Sequence, residues 1–128
     1  MAAPLTKILC IDDDQDILSI IEFSLSEVGG FEVLACNSGA EALEKVDAFS
    51  PQLFLIDVMM PGMSGPEVLA ELHKQPQYAT TPAIFLTANA NFAAYSEAKP
   101  PKLLGVLTKP FDPMQLPERI QKLWDEFM

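Results

Sequence analysis

Four large apolar residues in succession, Leu53-Phe54-Leu55-Ile56, end in Asp57, and Pro61-Gly62 follow a few residues later. A short unbroken apolar run bounded by turn residues fits a strand covered on both faces, the environment of a parallel sheet. Pro61 and Gly62 stop that strand. Asp57 then lies at its carboxyl end, the edge where open parallel sheets place their ligand sites. An aspartate there also serves as a helix cap or turn former, so its meaning depends on what other strands bring to it.

Three further apolar runs end in residues with chemistry of their own. Lys7-Ile8-Leu9-Cys10-Ile11 leads directly into Asp12-Asp13-Asp14, Ala83-Ile84-Phe85-Leu86 into Thr87-Ala88, and Gly105-Val106-Leu107-Thr108 into Lys109-Pro110-Phe111. If the strands ending at Ile11 and Asp57 are parallel neighbours, their tips lie about 5 Å apart, and Asp12 and Asp13 face Asp57. Carboxylates that close raise one another's pKa unless positive charge sits among them. A hard divalent cation with oxygen ligands, magnesium first, answers that need. Lys109 brings a second positive group.

Between these runs the pattern turns helical. Ile17, Leu18, Ile21, Leu25 and Val28 recur at helical spacing, and Gly29-Gly30 offer a left-handed stop. Phe31 to Cys36 is a shorter, more polar strand, which places it near a sheet edge. Ser38 with Glu41 and Ser64 with Glu67 make two capping boxes, the first before Leu43, Val46 and Phe49, the second before Val68, Leu69 and Leu72. Helix three is expected to end near Gln75-Pro76, and Pro82 precedes the next strand. A fourth helix is expected over Asn89 to Lys99, ended by Pro100-Pro101. Leu116, Ile120, Leu123, Trp124 and Phe127 form one face of a fifth, for which Asp112-Pro113 and Leu116-Pro117 both offer starts. Five strands alternating with five helices give a doubly wound α/β sheet with helices on both faces.

Composition narrows the setting. The 128 residues suffice for one domain, and 49% hydrophobic residues argue against disorder. A net charge of −10 without clustered Lys or Arg argues against direct nucleic-acid binding. Neither a membrane-spanning stretch nor a signal-type N-terminus occurs, so a cytoplasmic protein is expected. Cys10 and Cys36 read as reduced core thiols; a redox pair stays open because their strands can be neighbours, though there is no Cys-x-x-Cys. Asp12, Asp14 and Asp16 open like a calcium loop, but Ile17 and Phe23 stand where Gly and Glu are required. Gly62-Met63-Ser64-Gly65 misses the spacing of a hydrolase elbow, and Ser64 reads as a cap. His73, the single histidine, reads as an ordinary surface residue and leaves no hydrolytic triad. Pro100, Pro101, Leu103 and Leu104 form either an exposed docking patch or packing beneath the fourth helix.

Taken together, Asp12-Asp13, Asp57 with Pro61-Gly62, Thr87-Ala88 and Lys109-Pro110-Phe111 resemble the receiver domains of two-component response regulators, across essentially the whole chain. The resemblance implies a single receiver domain over residues 1–128, a flavodoxin-like sheet of order 2-1-3-4-5, and adjacency of the first and third strands. It implies a signalling domain rather than an enzyme, with only slow self-catalysed phosphotransfer and dephosphorylation. Asp57 is the implied phosphorylation site, supplied by a sensor histidine kinase or histidine phosphotransfer protein. Asp12, Asp13, Asp57 and the backbone carbonyl of Met59 are the implied magnesium ligands. Thr87 and Lys109 are the implied phosphoryl-stabilising and switch residues, Ala88 leaves the group room, and Lys109-Pro110 is the implied cis peptide.

The output surface implied by the family is made by the fourth helix, fifth strand and fifth helix. Val106 departs from the family pattern, because an aromatic ring is usual there and half of the usual Thr-aromatic switch is thereby missing. Met59 and Asn89 are the implied tuners of acyl-phosphate lifetime. Two other readings stand beside this one. An aspartyl phosphatase of the haloacid dehalogenase type would use Asp12 and Asp14, although Asp16 takes the place of its Thr or Val and the chain is short for that superfamily. A pseudo-receiver would bind partners without being phosphorylated. The chain end after the fifth helix and the Met1 start suggest a stand-alone regulator, with an excised receiver as the alternative.

Overall fold

The structure is a computed structural model that describes residues 4–88 and 102–127. Five strands, β1 (Lys7–Ile11), β2 (Glu32–Cys36), β3 (Leu53–Asp57), β4 (Ala83–Thr87) and β5 (Leu103–Thr108), form one parallel sheet in the order β2-β1-β3-β4-β5. Every residue of β3 and β4 is buried, whereas β2 begins exposed and stays half-buried until Cys36. The polar strand is thus the edge strand, and the unbroken apolar runs lie inside. The order brings β1 beside β3, with Ile11 opposite Ile56, so the residues after both strands meet.

Alternate side chains divide the core into two layers. Ile8, Cys10, Leu53, Leu55, Ile84 and Leu86 pack against Leu18, Ile21 and Leu25 and against Leu116, Ile120 and Trp124. These come from α1 (Gln15–Phe23), a π-helical turn that continues it (Ser24–Val28), and α4 (Leu116–Phe127). On the opposite face Leu9, Ile11, Phe54, Ile56 and Phe85 meet Val46 of α2 (Gly39–Phe49) and Val68, Leu69 and Leu72 of α3 (Gly65–His73). Four α-helices therefore stand among the described residues against the five expected. The fourth expected helix, Asn89 to Lys99, lies outside the described residues, and α4 is the fifth of the sequence reading.

Local details refine the expectations. Ser64 and Glu67 close a full capping box on α3, which ends at His73, slightly before Gln75. Ser38 accepts from Glu41 N at 3.1 Å, but Glu41 Oε1 reaches Asn37 N at 2.7 Å and skips the cap residue, so that box is only half made. At the end of α1, Gly30 has φ +75° while Gly29 does not. β5 starts at Leu103, earlier than expected, and Leu103 and Leu104 pack into opposite core layers; this removes both leucines from the proposed docking patch. Pro100 and Pro101 lie outside the described residues. Cys10 pairs with Ala35 and Cys36 with Ile11, so the two buried thiols face opposite sides of the sheet and form no redox pair. His73 is half-buried, its Nε2–H donating to the Thr81 carbonyl at 2.9 Å, and it fastens α3 to the segment before β4.

Candidate functional site

The carboxyl ends of β1, β3, β4 and β5 converge as the parallel order requires. Asp12 continues the ladder of β1, its N–H donating to the Cys36 carbonyl at 3.1 Å, and its side chain is fully buried. Asp57, the last residue of β3, is 4% exposed. Asp13 is exposed beside them, and carboxylate oxygens of Asp12, Asp13 and Asp57 lie within 4.8 Å of one another. Lys109 enters from β5: its Nζ donates to Asp12 Oδ2 at 2.8 Å and to Asp57 Oδ1 at 3.2 Å. Its own N–H donates to the Thr87 carbonyl at 2.8 Å, which couples the tips of β4 and β5. The Lys109–Pro110 peptide is cis.

Electrostatics follow from this crowding. Burial, then the charge of Asp12, pushes Asp57 up to about 6, with Lys109 opposing and Asp13 adding a little. Burial alone would weaken the Lys109 ammonium, yet its hydrogen bonds and charge interactions with Asp12 and Asp57 prevail and hold its pKa above the ordinary lysine value. Among the described residues three carboxylates face one ammonium, so this cluster carries an excess of negative charge. All-oxygen donors with uncompensated charge fit a hard divalent cation such as magnesium and not a thiophilic one.

The remaining candidate residues have different surroundings. Thr87 is 1% exposed at the end of β4, opposite Thr108. Ala88 is exposed just beyond it, and Met59 is exposed on the loop after β3. Val106 sits opposite Phe85 and packs against the second core layer, with β4 between it and the strand of Asp57. Asp14 belongs to the acidic run in sequence but caps α1, accepting from the N–H groups of Asp16 and Ile17. With Asp14 spent as a cap, the second acid required by the phosphatase reading is absent from the cluster.

Gly65 escaped the sequence reading as a site residue. A Cβ there would lie 2.5 Å from the Asp57 carbonyl oxygen and 3.0 Å from Val58 Cα, and Gly65 N–H donates to the Val58 carbonyl at 2.9 Å. The start of α3 therefore rests directly on the backbone of the acidic strand tip. The available signal was a glycine at the first helical position, where side chains are normally tolerated.

An open, doubly wound sheet with an acidic cluster and a lysine at its carboxyl edge places the protein in the flavodoxin-like class of α/β domains. Residues 8–121 match the response regulator receiver domain. The chain belongs to the response regulator receiver family, part of two-component signalling. It is 32% identical over 124 residues to the alkaline phosphatase synthesis transcriptional regulatory protein PhoP of Bacillus subtilis (strain 168), which covers 91% of this chain and 48% of that protein. It is 36% identical over 115 residues to an uncharacterized 14.6 kDa protein in the sodA1 3' region of Leptolyngbya boryana, covering 90% and 87%. The chain thus spans about half the length of several curated relatives it matches, PhoP among them. Among solved structures, chemotaxis protein CheY4 of Vibrio cholerae superposes with a TM-score of 0.84 at 32% identity, covering 93% of this chain and 98% of that one. No helix of the described residues is long and apolar enough to cross a membrane.

Proposed function

We propose that this receiver accepts a phosphoryl group on Asp57 from a phosphohistidine of a sensor kinase or histidine phosphotransfer protein. The observation that carries the reading is the position of the Asp57 carboxylate, buried at a strand tip within hydrogen-bonding distance of Lys109 and beside two further acids. An Asp57 oxygen forms the new bond to phosphorus while the donor's phosphorus–nitrogen bond breaks, and that electron pair returns to the imidazole. Lys109 shifts from pairing with carboxylates to pairing with a phosphoryl oxygen, and the Thr87 hydroxyl donates to another. Ala88 leaves space at the entrance. Asp12, Asp13, Asp57 and the Met59 carbonyl would hold magnesium, which when bound offsets the charge spread over the phosphoryl oxygens.

Output follows from Thr87. Drawn toward the phosphoryl group, it pulls on the segment after β4 and alters the surface formed by the fourth helix of the sequence reading, β5 and α4. Val106 has no ring to rotate, so β5 responds through packing. Neither nucleic acid nor membrane is a direct partner of this domain, in keeping with its charge of −10. A cytoplasmic setting suits two free thiols.

Incubation with acetyl phosphate and magnesium, followed by intact mass measurement, tests the assignment. Wild type gains one phosphoryl mass and Asp57→Asn gains none. Equal labelling of both would move the acceptor to another residue, and labelling of neither would leave a pseudo-receiver.

A further inference from the structure

Among the described residues four polar or charged side chains are buried: Asp12, Asp57, Thr87 and Ser24. The first three stand at strand tips around the site. Ser24 stands apart, where α1 passes into the π-helical turn, and it is fully excluded from solvent. Its hydroxyl donates to the carbonyl of Pro113, 89 residues further on, in the loop that joins Lys109 to α4. A helical serine commonly bonds back to its own helix, as Ser26 does here to the Glu22 carbonyl at 2.6 Å. Ser24 crosses to another segment instead. The wider turn it opens, with Gly29 N–H donating to the Ser24 carbonyl at 3.0 Å, is of the kind often found at functional positions.

The loop from Lys109 to Pro113 is held at its start by the Thr87 carbonyl, in its middle by Phe111 against the first core layer, and at its end by Ser24. Beside α1 it borders an apolar groove of about 360 Å³, lined by Ile17 and Ile20 of the helix, by Ala88, and by Lys109, Pro110, Phe111 and Pro113 of the loop. Two polar ties therefore bridge α1 and this loop: Lys109 to Asp12, just before the helix, and Pro113 to Ser24 at its far end. We infer that Ser24 is a positioning residue for Lys109, anchoring Pro113 to α1 so that the ammonium stays between Asp12 and Asp57. The inference rests on the phosphoacceptor reading for its purpose, but its geometry can be tested without any phosphoryl group.

Trace labelling of lysine amines with acetic anhydride, read by peptide mass spectrometry on the metal-free protein, reports how firmly each ammonium is held. Lys7 serves as internal reference, since its Nζ donates to the Phe49 carbonyl at 2.7 Å, far from the loop in sequence. In Ser24→Ala the Lys109-to-Lys7 labelling ratio rises about three- to tenfold, the factor expected for losing one hydrogen bond from the closed loop. Ser24→Cys, a weak donor of similar size, gives a smaller rise, and Ser26→Ala gives none. Phosphorylation by acetyl phosphate slows by a similar factor in Ser24→Ala. An unchanged ratio in Ser24→Ala, or in Ser24→Cys should the alanine variant not fold, overturns the inference. So does a rise shared equally by Lys7, which would mean general loosening. A wild type that takes no phosphoryl group would sink the acceptor assignment, while the labelling ratio would still decide the role of Ser24.

Discussion

Asp57 is costly to the folded chain when nothing but Lys109 balances it. Its pKa stands at about 6 against an ordinary 3.8, so between roughly pH 4 and 6 the native state holds a proton that the unfolded chain has lost. Stability therefore falls as pH rises through that window, and the full penalty is present above it. Asp57→Asn should make the metal-free protein more stable at pH 7.5, by up to about 3 kcal/mol, with the difference vanishing below about pH 4. Urea midpoints of both proteins across pH 3–8 check this, and a variant less stable than wild type at neutral pH would show that the lysine pairing outweighs burial. Strain of this kind is a familiar feature of residues kept for chemistry. From the sequence, Asp12, Asp57 and Lys109 were legible because each directly follows or ends an apolar run, and Asp13 because it extends the acidic run that opens at Asp12. Gly65 and Ser24 were not, because a steric contact with the Asp57 carbonyl and a hydroxyl reaching across 89 residues leave no periodic mark.

At the level of elements, the junction after α1 shows how two adjacent glycines can be required for different reasons. Gly30 needs its positive φ, and a Cβ there would meet open space. Gly29 has ordinary dihedrals, yet a Cβ would lie 2.8 Å from the Leu25 carbonyl, 2.8 Å from Pro117 Cβ and 2.9 Å from the Phe31 ring. Gly30→Ala should cost about 1 kcal/mol, a backbone effect, and Gly29→Ala about 2–3 kcal/mol or more, because Pro117 of α4 and the Phe31 ring must give way to admit the methyl group. Chemical denaturation of the two variants reads the order directly, and a reversed order would mean that α4 yields easily. The pair of glycines announced a helix end in the sequence, but not which did what. The strands were legible almost to the residue where burial on both faces left uninterrupted apolar runs. β5 began earlier than expected because Leu103 and Leu104 lie before a glycine, Gly105, that breaks the run. The π-helical turn was invisible, since Leu25 and Val28 keep helical spacing through it.

For the molecule as a whole, the acidic cluster adds local repulsion to a domain already carrying a net charge of −10. A divalent cation bound only by the folded state stabilises it by mass action, about 2.7 kcal/mol at a hundredfold excess over its dissociation constant. Magnesium should accordingly raise the thermal midpoint of wild type, chelation should reverse the rise, and Asp13→Ala should lose most of it. Asp13 is the informative choice because its exposure lets the variant fold without leaving a buried gap. A rise of equal size in Asp13→Ala would place the cation elsewhere on the surface.

The bond from Lys109 to Asp12 closes a span of 97 residues. During synthesis, the strands bearing Asp12 and Asp57 leave the ribosome long before their counter-charge does. Until then the nascent sheet lacks both its last edge and the Lys109 ammonium that pairs with Asp12 and Asp57, so the earlier segments gain little by docking early. Folding of this receiver is therefore expected to wait for nearly complete emergence of the domain, with the acidic cluster unassembled before that moment.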